Sequence, residues 1–180
     1  MTVRKILIAP DKRLKQRSSP VDIVDDKIRL IVNDMFETMY AADGLGLAAI
    51  QIGIPIRIIV ADVNNKNEKP NPLCLINPEI LQISSNTMLH EEGCLSLPEQ
   101  FERVERPSTV KIQYLDNEGK SCEIEATGVL SVGLQHEIDH LEGTLFVDPL
   151  STLKRRIILR KLIKEKKIEG EVLGQPHHKK

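Results

Sequence analysis

The stretch QHEIDHLEG, residues 135–143, contains two histidines four positions apart, with a glutamate directly after the first. In a helix, His136 and His140 would lie about 40° apart around the axis and about 6 Å apart along it, so they could share one metal ion. Glu137, rotated by about 100° from His136, would lie beside that metal, where a general base for water is needed. Two ordinary surface histidines would give the same pattern, so the interpretation depends on a third ligand.

The most attractive third ligand is Cys94, which follows Gly93 in HEEGCLSLPEQ. A thiolate and two imidazoles would leave one coordination position open for water, as a catalytic metal requires. His90 is an alternative ligand, although nothing in its spacing favours it. Cys94 could equally be a small buried apolar residue. Downstream, His177 and His178 lie in a polar tail and are poor candidates.

A glycine-rich stretch, GLGLAAIQIG at residues 44–53, superficially matches a dinucleotide-binding loop. Such a loop leaves a strand and opens a helix, whereas this stretch follows a predicted helix and leads to a predicted strand. We therefore interpret it as a segment whose backbone approaches a ligand. Gln51 would then offer an amide donor to an oxygen atom in the site.

Three helices are predicted to position these residues. Apolar residues recur at helical spacing from Val24 to Met39, with Asp22 as a plausible N-cap and an end near Gly44. A second helix covers Gly128 to Leu141, where Leu130, Leu134, Ile138 and Leu141 form a stripe that would face the core. The third, rich in lysine and arginine, covers residues 151–167.

Strands are predicted between the helices. IPIRIIVADV, residues 54–63, is rich in β-branched residues, and LCLINPEILQI suggests two short strands broken at Asn77–Pro78. TVKIQYLD and SCEIEAT, joined by a DNEGK turn, predict a hairpin. Helices separated from antiparallel strands indicate an α+β fold.

Size and composition indicate one domain, residues 1–168, followed by a polar tail, residues 169–180, that we expect to be disordered. The three cysteines are too few and odd in number for a disulfide scaffold. The N-terminus lacks the apolar core of a signal peptide, and no apolar run approaches the roughly 20 residues of a membrane span. We expect a soluble, intracellular protein.

Charge is unevenly distributed although the formal net charge is −1. From Lys154 to Lys180 there are 10 basic and 3 acidic residues, whereas the rest of the chain has 15 basic and 23 acidic ones. This basic end indicates either an anionic partner or a solvated helix with a frayed terminus.

GLGLAAIQ, EGCLS and QHEIDHLEG together resemble the motifs of the peptide deformylase family, in the same order and without departure at any fixed position. The resemblance extends over nearly the whole chain. It implies antiparallel or mixed β-sheets around a central helix that carries the HExxH motif, with one helix near each end of the chain.

The resemblance also implies roles for individual residues. Cys94, His136 and His140 match the metal ligands, and Glu137 matches the catalytic glutamate. Gln51 and the backbone N–H of Leu95 match the groups that stabilise the developing oxyanion. The substrate-binding positions are Gly46, Leu45, Val129, Val132 and Gly93, of which Leu45, Val129 and Val132 would line a pocket for the methionine side chain.

The implied reaction removes the N-formyl group from the initiator methionine of nascent polypeptides and releases formate. The implied metal is ferrous iron (Fe2+), which zinc, nickel or cobalt can replace, whereas the ligand types alone suggest zinc. We expect a monomer in the bacterial cytoplasm, without a membrane partner. The basic C-terminal helix would bind the ribosome near the tunnel exit through Lys154, Arg155, Arg156, Arg160 and Lys161.

Two other functions are compatible with parts of the pattern. A zinc endopeptidase would use a third ligand other than Cys94 and would cleave internal peptide bonds. A non-enzymatic protein would use the metal as a structural clip and the basic tail to bind RNA, although structural sites normally have four protein ligands. Glu92 and Asp139 could either support the metal ligands or form salt bridges with Arg103 or Arg106.

Overall fold

The computed structural model describes residues 2–63 and 69–173, with side chains described as far as residue 165. Within these ranges the helices are α1 (Asp26–Ala41), α2 (Gly128–Leu141) and α3 (Thr152–Leu173). The strands are β1 (Gly46–Ala48), β2 (Ile58–Ala61), β3 (Leu73–Ile83), β4 (Thr87–Cys94), β5 (Leu97–Pro107), β6 (Thr109–Leu115) and β7 (Ser121–Thr127).

The strands form two separate sheets. Five of them pair in the order β1-β2-β3-β6-β7, and every neighbouring pair is antiparallel. The other two, β4 and β5, form an antiparallel ribbon. Together with the helices, this arrangement confirms the predicted α+β class.

The five-stranded sheet separates α1 from α2. Side chains alternate between the two faces of a strand, and β2 is buried along its whole length. Ile58 and Val60 pack with Met35 of α1, whereas Ile59 belongs to the apolar cluster that contains Leu134 of α2. Burial on both faces therefore fixes α2, the helix that carries both histidines, against the sheet.

A third apolar cluster joins the ribbon to α3 and to the N-terminal segment. It includes Leu7, Leu97, Phe146, Ile158 and Leu162. Ile158 and Leu162 lie one turn apart on α3 and anchor that helix to the body of the protein. None of the helices in the described part of the chain is long and apolar enough to cross a membrane.

The helices were predicted more accurately at α2 than at α1 and α3. α2 has the predicted bounds. The predicted N-cap Asp22 is wrong, because the side chain of Asp25 accepts the capping hydrogen bond from Ile28 N at 3.0 Å. α3 continues to Leu173, so residues 169–173 of the predicted disordered tail are helical. Residues 174–180 lie outside the described residues.

The prediction of two strands broken at Asn77–Pro78 is also wrong, because β3 continues through this dipeptide. Its pairing with β6 shifts register between Ile76 and Glu79, which accommodates the missing N–H of Pro78. Asn77 adopts a positive φ of 52° and hydrogen-bonds both backbone polar atoms of Val21 through its side chain. These bonds hold Asn77 in this conformation within a continuous strand.

The hairpin of β6 and β7 was predicted correctly, with pairing from Thr109–Thr127 to Leu115–Ser121. In the segment predicted as a strand at residues 54–63, only Ile58–Ala61 is one. The ribbon β4–β5 was not predicted, although it carries Cys94. The glycine-rich stretch contains β1 and a 3-10 turn, Ala49–Ile52.

Candidate metal centre and active site

A cavity of about 480 Å³ lies between the loop after α1, the ribbon and α2. It is lined by ten of the eleven residues predicted to form the site: Leu45, Gly46, Gln51, Gly93, Cys94, Leu95, Val129, Val132, His136 and Glu137. The eleventh, His140, is fully buried beside the cavity. Residues that are far apart in the sequence are therefore brought together around one space.

The predicted ligands Cys94, His136 and His140 form one cluster. Their ligand atoms all lie within 4.8 Å of one another, and Cys94 Sγ is 3.2 Å from His140 Nε2. Donor atoms bound to one tetrahedral metal lie roughly 3.5 Å apart. The three residues therefore fit a single metal ion. In the described part of the chain this is the one such group of three or more residues.

Backbone structure explains why these ligands meet. Cys94 is the last residue of β4, and the two-residue turn that follows reverses the chain into β5. His136 and His140 project from one side of α2, and their ring centroids are 4.9 Å apart. The alternative ligand His90 lines the cavity but does not belong to the cluster. His177 and His178 lie outside the described residues.

A buried acid orients one of the histidines. Glu92 Oε2 is 2.8 Å from His136 Nδ1, which leaves Nε2 of that ring for the cluster. Arg106 donates to Glu92 through Nε at 2.5 Å and through Nη2 at 3.0 Å. Arg106 also donates to Asp139 at 2.8 Å. Glu92 thus both supports a histidine and forms a salt bridge, whereas Asp139 pairs with Arg106.

The two buried glutamates have opposite pKa shifts. Burial alone would raise the pKa of Glu92, but hydrogen bonds from His136 and Arg106 outweigh it and lower that pKa to about 2. Burial raises the pKa of Glu137 to about 7, against the opposing charge of His136. A carboxyl group with a pKa near neutrality can both take up and release a proton at physiological pH.

Glu137 is exposed over only 5% of its surface, and its Oε2 has no hydrogen-bond partner among the described residues. A buried carboxylate oxygen without a partner is costly, so such atoms commonly serve a ligand or a reaction. Gly46 makes room for this side chain, because a Cβ at Gly46 would lie 2.5 Å from Glu137 Oε1. The glycine-rich stretch therefore does approach the site closely, as predicted.

Gly46→Ala is expected to lower kcat/KM for any reaction that uses Glu137 by about 100-fold, because small displacements of reacting groups are this costly. The added methyl group would displace the end of a flexible side chain, so stability should change little. Steady-state kinetics and thermal unfolding would check both points. Gly133→Ala is a control for stability alone, because Gly133 lines the same cavity; its Cβ would meet Val63 Cγ1 at an ordinary 3.8 Å, and stability should stay equal or rise. Wild-type kinetics in Gly46→Ala would contradict the expectation.

Gln51 is held so that its amide nitrogen faces the cluster. Its Oε1 accepts from Ala48 N at 2.7 Å, which fixes the orientation of the amide group. Its Nε2 then lies 3.2 Å from Ser96 Oγ and 3.5 Å from Cys94 Sγ. Leu95 lies in the turn beside Cys94 and also lines the cavity. Gln51 Nε2 therefore lies next to the cluster, and Leu95 lines the same cavity.

Several residues around the site were not predicted. Ser96 holds Gln51, and Phe101 and Glu99 line the cavity from β5. Glu99 lies in a bulge, because Gly93 pairs with Phe101 while Cys94 pairs with Leu97. Since the ribbon itself was not recognised in the sequence, no periodic pattern could assign these side chains to the cavity.

One cysteine and two histidines around a single centre, with a buried carboxylate beside them that has an oxygen without a partner among the described residues, are typical of mononuclear metallohydrolases. The profile of the polypeptide deformylase family matches residues 3–156. The chain belongs to this family, whose members are metal-dependent enzymes that remove the N-formyl group from nascent peptides.

Individual relatives agree with this assignment. The chain is 52% identical to a peptide deformylase of Phenylobacterium zucineum, over 93% of this chain and 99% of the relative. It is 48% identical to the peptide deformylase of Rhizobium meliloti, over 94% and 98% of the two chains. A crystal structure of peptide deformylase from Ehrlichia chaffeensis is similar with a TM-score of 0.90 and 44% identity, covering 93% of this chain and 99% of that one.

Proposed function

We propose that this chain hydrolyses the formamide bond of N-formylmethionyl nascent peptides with Cys94, His136 and His140 as metal ligands and Glu137 as general acid and base. The observation that carries the proposal is the cluster of these three ligand atoms within 4.8 Å at a cavity that Glu137 also lines. A zinc endopeptidase or a structural metal clip explains this set less well, because Cys94 lies in the cluster with both histidines and Glu137 Oε2 is buried without a hydrogen-bond partner among the described residues.

When bound, the metal supplies a Lewis acid that polarises the formyl carbonyl group and makes water acidic enough to attack at neutral pH. Glu137 accepts the proton of the attacking water on a carboxylate oxygen. The same carboxyl group then delivers the proton to the leaving amine, which departs as the free N-terminus of methionine. The pKa of about 7 for Glu137 suits both steps.

Negative charge develops on the formyl oxygen during the attack. Gln51 Nε2 and the backbone N–H of Leu95 are the donors that we assign to this oxygen. The hydrogen bond between Gln51 Oε1 and Ala48 N supports this role, because it fixes the amide before substrate binds. Such preorganised donors need no rearrangement at the moment of reaction.

The methionine side chain is assigned to the apolar part of the cavity formed by Leu45, Val129 and Val132. Gly46 and Gly93 present backbone to the same space, which suits hydrogen bonds to an extended peptide. A formyl group is smaller than any acyl group of a peptide chain. A constricted site can therefore admit it and exclude internal peptide bonds.

For the metal we propose ferrous iron, with zinc, nickel or cobalt as substitutes. The support is the resemblance of the three motifs, since the ligand types by themselves also suit zinc. The experiment that tests the whole proposal is formate release from formyl-Met-Ala-Ser by protein purified without oxygen and loaded with Fe2+. No formate release, with one metal bound per chain, would contradict it.

We further propose that residues 1–168 act as one domain, as a monomer in the bacterial cytoplasm, and that α3 binds ribosomal RNA near the tunnel exit. The support for this contact is the exposure of Lys154, Arg155, Arg156, Arg160 and Lys161 along α3. Lys154 already pairs with Glu102, Arg155 with Asp148 and Lys161 with Glu165. Arg156 and Arg160 are therefore the best placed to meet phosphates.

Arg156→Gln combined with Arg160→Gln is expected to weaken ribosome binding and to reduce the slope of log K against log salt by about 2, since each phosphate contact contributes about one. The double variant keeps Ile158 and Leu162 in the core, which a deletion of α3 would remove. Sedimentation with ribosomes at several salt concentrations measures the slope. Lys27→Gln with Lys120→Gln changes the net charge equally elsewhere, and an equal loss in that control would contradict the assignment.

A further inference from the structure

Phe101 is an exposed aromatic residue at the cavity for which the reaction has no use. Its surface is 63% exposed, yet it lines the cavity from β5. Leu45 and Val129, which are 55% and 43% exposed, line the same cavity and are assigned to the methionine side chain. Three large exposed apolar side chains around one cavity indicate a surface that a ligand covers.

The ring of Phe101 is fitted to its neighbour on β4. Gly93 pairs with Phe101 across the ribbon. A Cβ at Gly93 would lie 2.5 Å from Cε1 and 2.8 Å from Cδ1 of the ring, so the ring occupies space that any other residue at 93 would fill. The ring therefore rests on the backbone of Gly93 and turns toward the cavity.

This position is close to the reaction centre. Gly93 directly precedes the ligand Cys94. An extended peptide advances only about 3.3 Å per residue. With the formyl group at the cluster and methionine in its pocket, the residue that follows methionine is the first that can extend further along the cavity that Phe101 lines.

We infer that Phe101 is a specificity-determining residue that contacts the side chain after formylmethionine and favours a large apolar side chain there over glycine. The inference rests on the proposed function and extends it to the second residue of the substrate. An aromatic face gains from burial against an apolar side chain, and glycine has no side chain to contribute to it. The contact is made equally in the bound substrate and in the transition state, so it should appear in KM.

The test compares formyl-Met-X-Ser peptides with leucine, phenylalanine or glycine at X, using the Fe2+-loaded protein. The wild type should prefer leucine and phenylalanine. Phe101→Ala should lower kcat/KM for these two by about tenfold through KM, with kcat unchanged. For glycine, kcat/KM should stay within about twofold. Phe101→Leu should recover most of the loss for leucine.

Leu89→Ala is the matched control, because Leu89 is 60% exposed on the same ribbon but does not line the cavity. It should resemble the wild type with all three peptides. An equal loss for glycine in Phe101→Ala, or discrimination only at the third residue in formyl-Met-Gly-X, would overturn the inference. Equal wild-type kcat/KM for the leucine and glycine peptides would overturn this inference but not the proposed function. No formate release from any of the peptides would overturn both.

Discussion

Glu137→Gln is expected to lower kcat for formate release by about 10²–10⁴-fold, which is the usual contribution of a general acid–base group. Glutamine keeps the size of the side chain but cannot accept a proton from water or deliver one to an amine. KM should change little, because the lost interaction is made in the transition state. Formate assays across a range of formyl-Met-Ala-Ser concentrations separate the two constants.

Stability supplies a second readout for the same variant. Glu137 is buried and its Oε2 has no partner among the described residues, so the wild type bears the cost of this carboxylate without a compensating contact. A neutral amide should cost less, and metal-free Glu137→Gln should unfold at the same or a higher temperature. A residue kept at the expense of stability is typical of an active site.

Glu125→Gln is the control for Glu137→Gln, because Glu125 is exposed on β7 and does not line the cavity. It should have wild-type kinetics. Metal content must also be equal in all three proteins, which separates a catalytic loss from a loss of metal. If Glu137→Gln kept more than a tenth of the wild-type kcat with full metal content, Glu137 could not be the general acid and base.

Local sequence patterns were sufficient to predict the parts of the fold that depend on periodicity. The stripe from Leu130 to Leu141 predicted α2 and its buried face, and Leu134, Ile138 and Leu141 are buried there. Alternation predicted the hairpin of β6 and β7. At the start of α1 the prediction chose Asp22, and only the hydrogen bond from Ile28 N identifies Asp25 as the cap.

The ribbon β4–β5 illustrates what local pattern cannot provide. Its exposed face mixes charged residues with Leu89 and Phe101, and its other face carries Glu92 and Arg106, which are buried as a pair. A buried ion pair gives no apolar alternation, so the strands have no period-two signal. The failure to predict the ribbon also limits the prediction of the site, because the ribbon contains Cys94, Phe101 and Glu92, the acid that orients His136.

The sequence motifs predicted which residues lie around the cavity, whereas periodic patterns did not predict the residues that support them. The residues assigned from GLGLAAIQ, EGCLS and QHEIDHLEG lie around one cavity, because these motifs contain the groups that face it. Arg106 lies outside the motifs and acts through Glu92, so no spacing rule could identify it. Which residues support the ligands depends on contacts made in the tertiary fold. The sequence can therefore only suggest such residues, as it suggested Glu92.

Cys94→Ala is expected to reduce metal affinity by more than about 100-fold and to abolish formate release. Loss of a residue that only supports a ligand already costs 10–100-fold in affinity, and Cys94 is assigned as a ligand itself. Two histidines on one helix would remain, which do not enclose a metal. Metal per chain, measured after dialysis against a competing chelator, gives the result independently of activity.

The other cysteines make this prediction specific. Cys122 is partly buried on β7, opposite Tyr114 and away from the cluster, so Cys122→Ala should keep one metal per chain and wild-type kinetics. Cys94→Ser adds a graded comparison, because a hydroxyl is a much poorer metal ligand than a thiolate and should give a loss close to that of alanine. Full metal retention in Cys94→Ala would mean that another residue is the third ligand. That result would favour the endopeptidase alternative, whereas loss of metal in both Cys94 variants but not in Cys122→Ala would identify Cys94 as the third ligand.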